Sequence, residues 1–130
     1  MIHKNGGVVL LELQILRVEL QAHESVDAAM SVLQEKRILD EIPDTLILVQ
    51  HPEVVTLGPK AERDGALEDP ALSDYPTRVV DRGGGMTYHG PGQLVVYPII
   101  KWQVGEQSVR KIINRLEDWV MAALADCGIE

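Results

Sequence analysis

Between Val79 and Ile99 the chain reads VVDRGGGMTYHGPGQLVVYPI, with an arginine, three consecutive glycines, a histidine and a second glycine turn between two apolar segments. No single helix or strand can run through such a stretch. Gly83 to Gly85 reach backbone conformations closed to other residues and put no side chain between the main chain and a ligand. Val79-Val80 and Leu94 to Ile99 are expected to be buried strands, with Gly90-Pro91-Gly92 forcing a turn between them. Arg82 and His89 are then expected at the rim of one pocket. An ordinary hairpin needs only one or two special residues in its loop, so this concentration of glycine, arginine and histidine points to binding. The spacing is neither the G-x-x-x-x-G-K-[ST] phosphate loop nor the dinucleotide G-x-G-x-x-G, since a strand rather than a helix follows Gly92.

The rest of the chain predicts an α/β (α+β) fold in one domain, residues 1–130: a mostly antiparallel sheet covered by helices. Val8 to Arg17 reads as a strand, and Ser25 to Asp40 as a helix striped by Val26, Met30 and Leu33. Thr45 to Val49 is a continuous apolar run, as in a sheet centre covered on both faces. His51-Pro52 stops it, because proline lacks a donor and the residue before it avoids helix. Val54 to Leu57 is a second short strand ending at Gly58. Pro59 to Thr77 is polar and broken by Gly65, Pro70 and Pro76, which predicts a long surface loop. Val109, Ile112, Ile113, Leu116, Trp119, Val120, Ala123 and Leu124 stripe a helix from about Glu106 to Asp126. Pro98 cannot donate to a ladder and belongs at an edge or bulge.

The net charge of −8, from 20 acidic and 12 basic residues, argues against nucleic acid as a partner. Val8 to Leu13 is too short to span a membrane and is interrupted by Glu12, so no membrane partner is expected and the cytoplasm is the expected location. The one cysteine, Cys127, excludes an internal disulfide. It falls on the apolar stripe of the last helix, where a core-filling role is expected rather than a nucleophilic one. No metal-ligand spacing is found, and no metal or cofactor is expected.

Arg82 to Gln93, RGGGMTYHGPGQ, resembles the signature of the lipoate-pathway octanoyltransferases, and Leu46 to Gly58, LILVQHPEVVTLG, resembles the strand, His-Pro turn and Thr-x-Gly segment upstream of it. The related lipoate ligases typically carry a second arginine and a serine before the glycines and Asp-x-Gly-Asn after the histidine. Here Asp81-Arg82 precedes and Gly-Pro-Gly-Gln follows, which favours the transferase over an ATP-dependent ligase. A non-catalytic acyl-binding half-domain is the third reading. The resemblance implies the catalytic-domain fold of biotin and lipoate protein ligases. It also implies transfer of an octanoyl or lipoyl group from acyl carrier protein to a lysine of lipoyl domains, in 2-oxoacid dehydrogenases and the glycine cleavage H protein. In that family the acyl group passes through a cysteine thioester with a lysine nearby. Both are expected after Glu130, so the chain reads as an N-terminal portion, inactive alone. It departs from the usual pattern at Val55, where an aromatic is common, and at Pro59-Lys60, where arginine often follows the glycine.

The expected substrate-binding residues are Arg82, Gly83, Gly84, Gly85, Met86, Thr87, Tyr88 and His89, with His51 and Tyr97 as further candidates. Backbone amides near the glycines suit the carbonyl oxygen on which charge builds during acyl transfer, and Met86 suits an adaptable apolar contact. His89 is a candidate for proton transfer or for fixing the turn. Arg82 either braces the loop or meets the carrier's phosphate or a partner's acidic surface. Tyr88 and Tyr97 are expected to pack with one end wet. His51 reads as part of a capped turn, and His3 and His23 have no supporting neighbours in the sequence. Because carrier and lipoyl domains are acidic, Lys60 with Arg63, and Lys101 with Arg110, Lys111 and Arg115, are candidate contacts.

Overall fold

The computed structural model describes residues 12–129, which separate into two compact units divided after Ile100. Residues 8–11 of the predicted first strand, and His3, lie outside the described residues.

In the first unit, β1 (Leu13–Leu20) leads into α1 (His23–Ile38) and then β2 (Asp44–Gln50). β1 and β2 run parallel, which requires a crossover, and α1 supplies it. The helix opens two residues before Ser25, with no side chain capping it, and carries Glu24 in its first turn and Lys36 and Arg37 in its last. Those charges complement the helix dipole. Arg37 Nε donates to Asp44 at 2.7 Å, fixing the end of α1 to the start of β2. β2 pairs antiparallel with β6 (Val95–Ile99), giving the order β1-β2-β6. Thr45, Ile47 and Val49 face inward while Leu46 and Leu48 are only half-buried, so the central strand is fully covered on one face, not both. Val26, Ile47, Val49 and Ile99 form the core there. Pro98 lies on β6, an edge strand, where its missing donor leaves no bond unmade.

A second three-stranded sheet has the order β4-β3-β5, built from β3 (Val54–Leu57), β4 (Thr77–Val79) and β5 (Met86–His89). All four residues of β3 are buried. β3 pairs parallel with β4 and antiparallel with β5. Each sheet thus mixes one parallel and one antiparallel pair, so the neighbours are evenly mixed rather than mostly antiparallel within the expected α/β fold.

The predicted loop after Pro59 is the crossover that the parallel β3–β4 pair needs. It contains α2 (Pro59–Arg63) and two 3-10 turns at Ala66–Glu68 and Pro70–Leu72. Pro59 opens α2, where its fixed φ is favourable. Ala61, Ala66 and Leu72 pack against Val55 and Leu57, an apolar contact too irregularly spaced to read as a period.

Gly90 to Gly92 joins β5 to β6, which belong to different sheets, so it is a crossing between sheets and not a hairpin turn. Val79 ends β4 at 43% exposure, not buried as expected. In the second unit, α3 (Val109–Asp126) starts three residues later than predicted, because Ser108 caps it by accepting from the Lys111 N–H at 3.3 Å.

Candidate functional site

The chain passes between its sheets twice, at His51 after β2 and at His89-Gly90 after β5. The Gly92 N–H donates to the Gln50 side-chain oxygen at 2.8 Å, tying the two crossings together. His51 is wholly buried at this seam, with Nδ1 2.6 Å from the Gln21 carbonyl oxygen and Nε2 2.8 Å from the Tyr97 hydroxyl. A carbonyl only accepts, so Nδ1 carries the hydrogen, and in that tautomer Nε2 accepts from the tyrosine. His51 is therefore an oriented imidazole rather than a simple turn residue.

His23, for which the sequence offered no neighbours, opens α1 with its ring 5.1 Å from that of His51 and 5.7 Å from that of His89. His51 and His89 are 5.7 Å apart, closing the triangle. His23 Nδ1 and His89 Nδ1 are buried without a hydrogen bond. Burial, then the charges of His51 and Arg78, lower the His23 pKa from 6.5 to about 4, with His89 adding to this and Asp27 opposing it. His89 is also shifted down, by burial first and then His51 and Arg82, with Gln93 opposing. Uncharged rings can share so small a space, whereas three imidazolium ions would repel.

Thr56, fully buried on β3, is the anchor of the glycine loop. Arg82 Nη2 donates to its hydroxyl oxygen at 3.1 Å, and His89 Nε2 lies 3.5 Å from the same atom. Arg82 therefore braces the loop, through a side chain rather than through loop carbonyls. Gly58 N–H donates to the Gly85 carbonyl at 3.0 Å, and a Cβ on Gly58 would collide with the Gly84 carbonyl oxygen. Gly83, Gly84 and Gly85 are exposed, and a Cβ on any of them would meet nothing within 4 Å. Gly84 has φ +106°, in the region that favours glycine. Main chain is left bare there. A cavity of about 450 Å³ is lined by His23, Asp27 and Met30 of α1, by Asp81 and Arg82, and by Tyr97 of β6. The three glycines flank this cavity in sequence without lining it.

Met86 and Tyr88 are exposed on β5, and Thr87 is exposed between them. The Tyr88 hydroxyl donates to Glu53 at 2.9 Å, and that carboxylate raises its pKa. Tyr97 is half-buried with its hydroxyl on His51; burial raises its pKa, Asp27 adds to this and Arg82 opposes it. Thr56, His23, Asp27 and the Gln21 carbonyl are the members of this site that the sequence did not single out. Thr56 alone had a signal, as the threonine two residues before Gly58.

Within the second unit, Cys127 is exposed at the end of α3, not buried as expected, because no residue of α3 is buried. Three of the candidate carrier contacts make local bonds. Lys60 pairs with Asp64 at 3.4 Å, Lys111 donates to the Gly105 carbonyl at 3.0 Å, and Arg115 pairs with Glu106 at 2.8 Å. Among the described residues no group of His, Cys, Asp and Glu is placed to hold a metal ion, and no helix is long and apolar enough to cross a membrane.

Residues 25–130 match the lipoyl protein ligase A/B catalytic domain. The chain belongs to that family. An octanoyltransferase from Syntrophobacter fumaroxidans is 41% identical over 101 residues, covering 75% of this chain and 44% of the relative. One from Cellvibrio japonicus is 37% identical over 118 residues, covering 91% and 53%. One from Chloroflexus aurantiacus is 44% identical over 100 residues, covering 75% and 45%. The chain spans about half the length of the curated relatives it matches. The family match takes in every candidate residue from His51 to Tyr97, and it begins two residues after His23.

Proposed function

We propose that this chain is the acyl-binding part of an acyltransferase that moves an octanoyl or lipoyl group from acyl carrier protein to a lysine of lipoyl domains, those of 2-oxoacid dehydrogenases and the glycine cleavage H protein included. The observation that carries this reading is the open main chain at Gly83 to Gly85, held by Arg82 on Thr56 and by Gly58 on Gly85, with Arg82 itself lining a cavity of about 450 Å³. The names of the relatives support the octanoyl specificity. Transfer from a thioester builds negative charge on the carbonyl oxygen at each step, and exposed loop amides suit it without rearrangement. His89, shifted toward its neutral form, would serve as a proton acceptor at neutral pH. The acyl-carrying nucleophile is assigned to a cysteine other than Cys127, and no ATP is required.

The test is transfer from octanoyl-acyl carrier protein to a lipoyl domain, measured with and without ATP, for this chain and for a form extended to the length of its relatives. ATP-independent transfer by the extended form is expected. An ATP requirement would replace this reading with an adenylating ligase. Activity restored by a separately encoded subunit would replace it with a half-domain.

A further inference from the structure

We infer that Tyr97, backed by His51, is the proton-accepting group for a primary amine bound in the cavity beside Arg82. This rests on the acyl-transfer reading, since that reaction ends on an amine.

The hydrogen-bond directions carry the argument. His51 is wholly buried, and its Nδ1–H is committed to the Gln21 carbonyl, so Nε2 presents only a lone pair. The single hydrogen of the Tyr97 hydroxyl goes to that lone pair at 2.8 Å. To any further group the Tyr97 oxygen is therefore an acceptor. Tyr97 lines the cavity, and the charges of both Asp27 and Arg82 act on its phenol. His23 lines the same cavity at 5% exposure with Nδ1 unpartnered. As an uncharged ring it too has a nitrogen lone pair to offer. Asp27 and Asp81 add carboxylates to the wall, Asp27 already paired with Arg78 at 3.2 Å, and the guanidinium that lines the cavity, Arg82, is turned onto Thr56. A group with several N–H donors and a positive charge fits this set of acceptors. An anion would face the Asp81 carboxylate. A lysine side chain, a compact ammonium on a thin flexible stem, is the ligand of that chemistry.

The step balances. The amine binds as an ammonium and sheds one proton to solvent. Its nitrogen then bonds to the carbonyl carbon of an acyl thioester, the C–S bond breaks, and sulfur leaves with the electron pair as a thiolate. The surplus proton on nitrogen passes to the Tyr97 oxygen while the Tyr97 hydrogen passes to His51 Nε2. His51 is briefly an imidazolium, its Nδ1–H still on Gln21, until the proton returns through Tyr97 to the thiolate. Tyr97 is the catalytic residue in this scheme and His51 the positioning one.

The test is NMR on this chain with ¹⁵N in its histidine rings, titrated with Nα-acetyl-lysine methylamide and, separately, with the norleucine analogue that lacks the amine. His51 is expected as the Nδ1–H tautomer, and the lysine probe alone is expected to shift the His51 ring signals. Tyr97→Phe should abolish the His51 response and weaken binding about two- to tenfold, as loss of one hydrogen bond does. An Nε2–H tautomer, an equal response to norleucine, or unchanged binding by Tyr97→Phe would each overturn the proposal. The first two use the unaltered chain, so they decide the matter even if the variant does not fold. Acyl transfer by the extended protein without an amine response sinks this proposal alone. An amine response without acyl transfer sinks the transferase reading alone.

Discussion

Three histidines separated by tens of residues share one seam, and the charge state of His23 couples the seam to pH. The His23 ring titrates near 6.5 when the chain is unfolded and near 4 in the fold, because burial and the charges of His51, Arg78 and His89 outweigh Asp27. Between those values the unfolded chain takes up a proton that the folded one refuses. Stability is therefore full above about pH 6.5 and falls as the pH drops toward 4. Thermal melts across that range should show the midpoint declining, with a shallower decline in His23→Phe. A pH-independent midpoint, or an unchanged slope in the variant, would remove His23 from the seam. His51 could be singled out from its position before Pro52, and His89 from its glycine surroundings. His23 could not, since a histidine opening a helix has no distinguishing spacing, and only packing of α1 on the sheet crossings brings it to the others.

The glycine loop depends on the end of β3 as much as on its own residues. Gly58 must lack a side chain because the Gly84 carbonyl occupies that space, whereas Gly83 faces nothing within 4 Å. Gly58→Ala is expected to cost about 1–3 kcal/mol through overpacking. Gly84→Ala should cost about 1–2 kcal/mol through its left-handed φ. Gly83→Ala should be tolerated at well under ~1 kcal/mol. Urea unfolding of the three variants checks the order, and equal effects would mean the loop is not seated on β3. The loop and β3 were both legible as sequence, the first from its composition and the second from its apolar run between His51-Pro52 and Gly58. Their contact was not, because it follows from the pairing of Leu57 with Met86 across 28 residues of intervening chain. β5 itself was hidden for a related reason: Met86, Thr87 and Tyr88 are exposed and His89 alone is buried, so it shows no apolar face to read.

At the scale of the molecule, the first unit holds two small cores under two three-stranded sheets, and the second unit by itself does not cover the apolar stripe of α3. Val109, Val120 and Met121 are 73%, 58% and 59% exposed, with Ile113 and Leu124 beside them. An apolar surface of that extent favours association. Sedimentation of this chain should show concentration-dependent self-association, and Ile113→Glu with Val120→Glu should reduce it. A monomer at all concentrations would show that the stripe is covered. The amino-acid sequence by itself determined the α/β character, the strands β2 and β3, the stripe of α3 and the glycine loop, since apolar period and turn chemistry act over a few neighbouring residues. Only the tertiary structure decided the two mixed sheets, the seating of Arg82 on Thr56, and the meeting of His23, His51, His89 and Tyr97. Those are contacts between residues remote in the chain, and they are set by which strands pair and where the chain crosses from one sheet to the other.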